Sequence, residues 1–251
     1  MAKIEFFDVN VTLGRPRVPK FCVVTDPLVM RAELAAVGIE GGLVRHTLSA
    51  EWHPTMGNPE VTRLASAVPG FGPVWAVLPH WTGEFPAPDE LLREMSASGV
   101  RAVIMYPGQH GFPIRRSVTG PLFEALESAR VMVLLPAAEV RLEVVEQVAT
   151  DHPALPIVVS EVGHSSAREL YPVFMKCPNV HIELSGYMVH RGIEDIVERF
   201  GDGRVLFGTR YPLFNPGCAI ANVMYANISD DARKSIASGN AKKLLAEVTL
   251  K

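Results

Sequence analysis

The sequence predicts a (β/α)₈ barrel, in which eight parallel strands form a closed ring and helices surround it. The chain has 251 residues, a length that suits one α/β barrel and can bury a single core. Eight short apolar runs rich in β-branched residues recur along it, each bounded by Gly, Pro or Asp. Segments with helical spacing separate these runs, and the repeat of about thirty residues favours parallel strands with crossover helices. We therefore expect one domain over residues 1–251, with minor distortions or loop insertions in the barrel.

The apolar runs define the predicted strands in chain order. They are Ile4–Val11, Gly42–Thr47, Val74–Pro79, Ala102–Pro107, Met132–Ala137, Ile157–Val162, His181–Ser185 and Val205–Tyr211. An open doubly wound sheet usually carries a Gly-rich phosphate-binding turn after its first strand, and Asp8-Val9-Asn10-Val11 contains no glycine. The closed barrel is therefore favoured over that alternative.

Helix start and stop signals fill the gaps between the strands. Asp26 is a candidate N-cap, Pro27 suits the first turn, and Gly38 follows the end of the same helix. The later predicted helices are Glu90–Ser98, Pro121–Arg130, Val140–Thr150, Ala167–Lys176, Ile193–Phe200, Ser229–Ala237 and a last helix from Ala241.

The composition limits the classes of partner. The formal net charge is −3, and no dense Lys/Arg stripe with interleaved aromatics is present, which argues against nucleic acid. No apolar run of about twenty residues could span a membrane, and the first residues lack a secretory signal. Three cysteines without a CxxC motif predict neither a disulfide framework nor a structural zinc site. We expect a cytoplasmic protein with a small-molecule substrate.

Polar residues collect where the predicted strands end, which is where barrel enzymes place their active sites. In chain order they are Asp8, Asn10, Arg45, His46, His80, Tyr106, His110, Glu139, Glu161, His164, Ser185, Arg210 and Tyr211. Any one of the four histidines could be an ordinary hydrogen-bonded histidine of a loop, because loops are rich in polar residues. As a set they predict a polar pocket.

Glu161 and Arg210 support a sharper inference. A carboxylate and a guanidinium at the ends of apolar strands are tolerated only if they are paired, solvated or both. If both point inward, they meet across the barrel mouth. That pair either ties strand six to strand eight, or forms an anion-binding site in which Arg210 holds a substrate carboxylate and Asp8 or Glu161 acts as the base.

Several segments resemble the amidohydrolase superfamily, in the branch that includes aminocarboxymuconate-semialdehyde decarboxylase and pyrone dicarboxylate lactonase. The resemblance runs nearly end to end. It is carried by Phe7-Asp8-Val9-Asn10, Leu155-Pro156 through Glu161-Val162-Gly163, Cys177-Pro178-Asn179 through Leu184-Ser185-Gly186, Arg204-Val205 through Arg210-Tyr211-Pro212, and Gly239-Asn240-Ala241. It implies a barrel hydrolase or lyase that acts on small metabolites.

The resemblance also implies a zinc or manganese ion, and the sequence departs from that pattern at every ligand position. Asn10 and Thr12 stand at the HxH pair, Pro136 or Ala137 near the strand-five histidine, Glu161 at the strand-six histidine and Arg210 at the aspartate. A guanidinium in place of an anionic ligand repels a divalent cation. We therefore expect no metal cofactor, with Arg210 supplying the positive charge.

Three functional hypotheses follow. The first is a metal-independent hydrolase or lyase of a small carboxylated or lactone-like metabolite. Its expected catalytic residues are Asp8, His46, His80, Glu161 and Arg210, and its expected substrate-binding residues are Asn10, Tyr106, His110, His164, Ser185 and Tyr211. The second is a non-catalytic barrel that binds a ligand or partner. The third is a hydrolase with a relocated metal at His80, His110 or His164. The apolar stretch 212–225 could contribute to a homodimer interface.

Overall fold

The computed structural model describes residues 4–250 and confirms the predicted barrel. Eight strands pair in chain order, each parallel to the next. The ring closes between its first strand and the segment directly after its last strand, where the Val9 amide donates to the Phe207 carbonyl at 3.0 Å and the Thr12 amide to the Tyr211 carbonyl at 2.8 Å. All strand carboxyl ends therefore meet at one mouth.

The strands and helices alternate along the chain. The strands are β1 Phe6–Leu13, β2 Ile39–His46, β3 Phe71–Ala76, β4 Ala102–Ile104, β5 Met132–Pro136, β6 Ile157–Ser160, β7 Val180–Glu183 and β8 Val205–Leu206. The helices are α1 Pro27–Ala36, α2 Thr47–Glu51, α3 Pro54–Ser66, α4 Pro88–Ala97, α5 Arg116–Ser128, α6 Leu142–Asp151, α7 Ala167–Lys176, α8 Gly192–Phe200, α9 Pro216–Met224, α10 Asp230–Lys234 and α11 Asn240–Ala246. A 3₁₀ turn covers Asp202–Arg204 and a π-helical turn covers Ser235–Gly239.

Local signals explain the first helix, as the sequence predicts. The Asp26 carboxylate accepts a hydrogen bond from the Leu28 amide at 2.8 Å, and Pro27 occupies the first turn. Met30 and Leu34 then lie on one buried face, because residues four apart share a side of a helix. Helix α1 thus packs its apolar face onto the strands.

The core has an inner and an outer layer. The inner layer fills the barrel with side chains such as Val9, Val74 and Ile104, and Leu244 of α11 joins it at the amino end of the strands. The outer layer lies between strands and helices. Helix α11 closes the end of the barrel opposite the mouth.

The structure corrects several predicted boundaries. Strand eight was expected to run to Tyr211, but its ladder stops at Leu206 because the Thr209 amide donates to the Asp8 carboxylate and Arg210 has a φ of +59°. Helices α2, α3 and α9 were not predicted. Helix α3 contains Pro59, and a proline inside a segment argues against predicting a helix there from the sequence. Among the described residues, no helix is both long enough and apolar enough to cross a bilayer.

Candidate functional site

A cavity of about 220 Å³ opens at the carboxyl ends of the strands. Its walls come from many separate strands and the segments that follow them, as expected for a barrel mouth. The polar side chains that line it include Thr12, Arg45, His46, Tyr106, Glu161 and Arg210, together with Lys20, Glu51, Gln109 and Glu139. We call this space the mouth cavity.

Glu161 lies between two arginines in the mouth cavity. Its Oε1 is 2.8 Å from Nη2 of Arg45, and its Oε2 is 2.8 Å from Nη2 of Arg210. Burial opposes ionisation, but the charge and hydrogen bond of Arg45 and the charge of Arg210 hold the pKa of Glu161 below its usual value. The predicted meeting of Glu161 and Arg210 is confirmed, and Glu161 is an ionised carboxylate with little capacity to act as a base.

Arg45 was expected at the mouth, but it was given no catalytic or substrate-binding role. Its Nε donates to Oγ1 of Thr12 at 2.9 Å, which fixes the guanidinium beneath Glu161. Thr12 and Arg45 are register partners on β1 and β2. The position of Arg45 on the strand next to Thr12 could have indicated this contact from the sequence, because side chains on the same face of adjacent strands lie within reach of each other.

The backbone at both ends of the Glu161–Arg210 pair is unusual. Glu161 has a φ of +61° and Arg210 a φ of +59°, in the left-handed region that non-glycine residues rarely adopt. Such conformations persist only where neighbouring contacts hold them, and they concentrate at functional sites. Here the Glu161 amide donates to Oε1 of Glu183 at 2.6 Å.

Glu183 is a fully buried carboxylate that sequence reasoning missed. Its Oε1 accepts from Nδ2 of Asn10 at 3.1 Å and from Oγ of Ser185 at 2.7 Å, and its Oε2 accepts from the Ser185 amide at 2.8 Å. An acid at the end of a buried strand, Val180–Glu183, was the signal of this role in the sequence. Asn10 and Ser185 are therefore tied to Glu183 beneath the mouth, and through it to Glu161.

Asp8 lies deeper in the barrel and does not line the mouth cavity. Its carboxylate accepts from the Asn10 amide at 2.9 Å, from the Thr209 amide at 3.0 Å and from the Thr209 hydroxyl. Burial raises the pKa of Asp8 to about 6, although these hydrogen bonds favour the ionised form. Its contacts tie β1 to the segment after β8 and leave it out of reach of a substrate in the mouth.

His46 combines a structural contact with a group that faces the mouth cavity. Its Nδ1 accepts from the Leu48 amide at 3.1 Å and caps α2. The remaining ring nitrogen, Nε2, therefore carries the proton in the neutral ring and lies beside Gly14, where a Cβ would be 2.5 Å away. Burial lowers the pKa of His46, so the ring is a neutral hydrogen-bond donor.

Tyr106 and Tyr211 both line the mouth cavity, but their hydroxyls differ. Burial raises the pKa of Tyr106, so its hydroxyl stays protonated. The Tyr211 hydroxyl instead donates to Glu33 of α1 at 2.5 Å. Tyr106 is therefore the tyrosine with a polar group available to this cavity.

The other three predicted histidines lie apart from this centre. His80 stacks on Trp81 with ring centroids 4.3 Å apart, and His110 donates from Nε2 to the Ala50 carbonyl at 3.0 Å. His164 is exposed and lines a second cavity. The structure thus does not bring His80, His110 and His164 together.

The residues at the expected metal position do not fit a divalent cation. Both carboxylate oxygens of Glu161 form ion pairs with guanidinium groups, and Arg210 stands where an anionic ligand would be required. Between residues 4 and 250, no group of three or more His, Cys, Asp or Glu side chains is arranged to hold a metal. The mouth instead presents two guanidiniums around one carboxylate.

Comparison with known proteins places the chain among related barrels. A family model described as Amidohydrolase matches residues 29–246. No curated protein sequence matches the chain.

Three similar solved structures share the fold at low identity. 2,6-Dihydroxybenzoate decarboxylase from Rhizobium is 16% identical with a TM-score of 0.72, covering 98% of this chain and 99% of its own. A putative 2-pyrone-4,6-dicarboxylic acid hydrolase from Pseudomonas putida is 16% identical with a TM-score of 0.71, covering 97% and 98%. A 5-carboxyvanillate decarboxylase from Novosphingobium aromaticivorans, complexed with manganese and 4-hydroxy-3-methoxy-5-nitrobenzoic acid, is 14% identical with a TM-score of 0.78, covering 97% and 96%.

Proposed function

The chain belongs to the amidohydrolase family, and from that premise we propose that it is a hydrolase or lyase of a small carboxylated or lactone-like metabolite. We propose further that it works without the family's metal and that Arg210 and Arg45 bind the substrate's anionic group. The observation that carries this proposal is the contact of one carboxylate, Glu161, with two guanidiniums. These three groups together carry one net positive charge, and the other charged residues that line the cavity are Lys20, Glu51 and Glu139.

The accessibility of the two arginines determines which one meets the substrate. The Arg45 side chain is 12% exposed and is held by Thr12 and Glu161. The Arg210 side chain is 33% exposed and uses only Nη2 for Glu161. A guanidinium has five N–H donors, so Arg210 can bind a second carboxylate without releasing the first. The compounds named for the similar structures are carboxylated, which agrees with an anion-binding mouth.

His46 and Tyr106 supply neutral polar groups beside this positive charge. The His46 Nε2–H can donate to a carbonyl or carboxyl oxygen of a substrate held by Arg210, and the Tyr106 hydroxyl stays protonated. Donors aimed at an oxygen that gains negative charge stabilise the transition states of acyl transfer and related reactions. The two residues therefore act in the proposal as hydrogen-bond donors to the reacting group.

A binding experiment tests the role of Arg210. We expect calorimetric titration with a panel of small carboxylates to show that Arg210→Gln weakens binding by about 1.5 to 3 kcal/mol, or roughly 10- to 150-fold, because a charge-assisted hydrogen bond is lost. Arg141→Gln is the matched control, because Arg141 forms an exposed ion pair with Glu143 at 2.8 Å. Equal affinity in Arg210→Gln and the wild type would overturn the proposal.

A metal measurement tests the second part of the proposal. We expect plasma mass spectrometry to find no stoichiometric metal in the purified protein, before or after incubation with zinc or manganese and desalting. A divalent cation would have to displace two guanidiniums from Glu161, which the charge of Arg210 opposes. Near-stoichiometric metal with carboxylate binding that depends on it would contradict metal independence.

A non-catalytic carboxylate-binding barrel is the second candidate, and one observation favours it. The two acids expected to act as bases are both engaged, Glu161 by two arginines and Asp8 by Thr209. One experiment distinguishes the enzyme from the non-catalytic barrel. Each carboxylate or lactone that binds is incubated with the protein, and NMR of the small molecule then shows whether it is converted. Conversion that Arg210→Gln abolishes supports an enzyme, whereas tight binding without conversion across the panel supports the non-catalytic barrel.

A further inference from the structure

A second cavity of about 400 Å³ lies beside the mouth cavity, between the segments that follow β7 and β8 and helix α9. Arg210 lines both cavities. Arg210 is therefore shared between the two cavities, and a carboxylate bound to it can extend the rest of its molecule into the second cavity.

The walls of this second cavity are mainly apolar. Leu184 and Ala219 lie at its buried side, while Met188 is 59% exposed and Phe214 is 43% exposed. Large apolar side chains that line a concave surface in contact with water mark a binding site, because covering them is favourable. The position of these four side chains next to a cation indicates a ligand with an anionic end and an apolar body.

Two polar side chains at the buried side of the second cavity already have hydrogen-bond partners, and two others, His164 and Asn215, are exposed. The Ser185 hydroxyl donates to Glu183 at 2.7 Å, and the Thr209 hydroxyl donates to Asp8. Asn215 caps α9 through Oδ1, which accepts from the Gly217 amide at 2.8 Å. A second charged or hydroxylated group of a ligand would find partners at the exposed side, in His164 and Asn215, whereas burying it against Leu184 and Ala219 without a partner is costly.

Arg210 is placed to join the two cavities. Its Cζ lies 5.4 Å from the centroid of the Phe214 ring, while Nη2 forms an ion pair with Glu161. The ring holds the guanidinium from the side of the second cavity through a cation–π contact. The remaining N–H groups are free of Glu161 and can bind a carboxylate whose apolar body packs against Phe214.

We infer that the second cavity is the subsite for an apolar chain or ring attached to the substrate's carboxylate, with Met188 and Phe214 as specificity-determining residues. The substrate class is thus a monocarboxylate with an apolar body rather than a small compound with several charges. This inference rests on the proposed function, because it takes Arg210 as the site of the carboxylate.

The first test compares acetate, hexanoate and hexanol by calorimetric titration of the whole protein. Each buried methylene strengthens binding by about fourfold, so we expect hexanoate to bind at least about tenfold more tightly than acetate. Hexanol should bind weakly, because it lacks the carboxylate for Arg210. If acetate binds and hexanoate binds no tighter, the subsite is wrong while the proposed function stands. If neither carboxylate binds, the proposed function fails as well.

A reversible block then locates the subsite without a substitution in its walls. Cys218 is exposed and lines the second cavity, Cys177 is buried, and Cys22 lines the mouth cavity. In a Cys22→Ser background, benzyl methanethiosulfonate should label Cys218 and fill the space beside it. We expect the labelled protein to bind hexanoate no more tightly than acetate, with the preference restored by dithiothreitol. An unchanged preference for hexanoate in the fully labelled protein would place its chain elsewhere and overturn the inference.

Discussion

Asp8 illustrates how a single residue can be misjudged from its position in the sequence. It stands at a strand end among candidate site residues, yet its carboxylate is fully buried and bonded to Thr209 and to the Asn10 amide. Burial raises its pKa to about 6 from an ordinary value of 3.8. An acid whose pKa is raised by folding stabilises the protein below its unfolded pKa, and that contribution is lost as the pH rises through the folded value.

We therefore predict a pH-dependent effect of Asp8→Asn on the free energy of unfolding. Asparagine can keep a bond from the Thr209 amide but does not ionise. As the pH rises from 4 to 7, the free energy of unfolding of the variant should increase relative to that of the wild type. The pKa of Asp8 is raised by roughly two units, which corresponds to a change of up to about 3 kcal/mol. Urea unfolding at several pH values measures it, with Asp151→Asn on the exposed end of α6 as the control. A difference that is constant across this range would contradict the raised pKa.

His46 and His53 form a natural pair for separating a structural role from a role in binding. Each ring accepts a backbone hydrogen bond through Nδ1 and caps a helix, His46 at 3.1 Å from the Leu48 amide and His53 at 3.3 Å from the Thr55 amide. Only His46 lines the mouth cavity. The two histidines thus share one function in folding and differ in their access to a substrate.

Four variants test this distinction. At both positions we expect Ala to lower the free energy of unfolding by about 1 kcal/mol more than Asn, because asparagine is a good N-cap and alanine is not. Both His46 variants should weaken carboxylate binding, since neither keeps the imidazole N–H, whereas the His53 variants should bind as the wild type does. Urea unfolding and calorimetric titration give the two readouts. Normal binding by His46→Asn would remove His46 from the site.

At the scale of elements, strand β7 and the segment after β8 depend on a close approach at Gly208. A Cβ at this position would lie 2.1 Å from Oε2 of Glu183 and 3.3 Å from the Asn10 side chain. Glu183 cannot move away without releasing the Glu161 amide, which it holds at 2.6 Å. The glycine thus makes room for the carboxylate that fixes the mouth.

We predict that Gly208→Ala lowers the free energy of unfolding by at least about 2 kcal/mol, because overpacking a filled site displaces buried groups. It should also weaken carboxylate binding by disturbing Glu161. Gly203→Ala is the matched control, since a Cβ there meets nothing within 4 Å. Chemical unfolding of both variants measures the difference. Equal stability of the two variants would show that Glu183 and its hydrogen-bond partners can move to accommodate the added methyl group.

The elements also show which structural features were predictable. All eight strands were predicted because each is a short apolar run between Gly, Pro or Asp, and their order follows from parallel crossovers. Helices α2 and α3 were missed because each is capped by a histidine, an uncommon N-cap. The pairing of Glu161 with Arg210 followed from residue type and strand position. Arg45 and Glu183 could not be assigned, because which buried charge meets which depends on side-chain geometry across the barrel.

At the scale of the whole molecule, the two ends of the barrel have different roles. The mouth gathers ionised and hydrogen-bonding groups, while the opposite end is closed by α11, whose Ala241 and Leu244 join the inner core. Further contacts hold the carboxyl-terminal segment, including an Arg130–Glu247 ion pair at 2.5 Å and a bond from the Thr249 amide to the Ala129 carbonyl at 2.9 Å. Closing this end couples the last helix to β1 and β8, the strands at which the ring closes, and to the inner core.

This coupling predicts that damage to α11 destabilises the entire barrel at once. Leu244→Ala should lower the free energy of unfolding by about 2 kcal/mol, the lower end of the range for a buried leucine because Leu244 keeps 9% of its surface exposed. The three tryptophans, Trp52, Trp75 and Trp81, report on the region from α2 to the segment after β3, far along the chain from α11. Tryptophan fluorescence and far-ultraviolet circular dichroism should therefore give the same shifted midpoint in urea. Lys242→Ala, on the exposed side of the same helix, should leave both unchanged. A shift in circular dichroism without one in fluorescence would mean that α11 unfolds separately from the ring it closes.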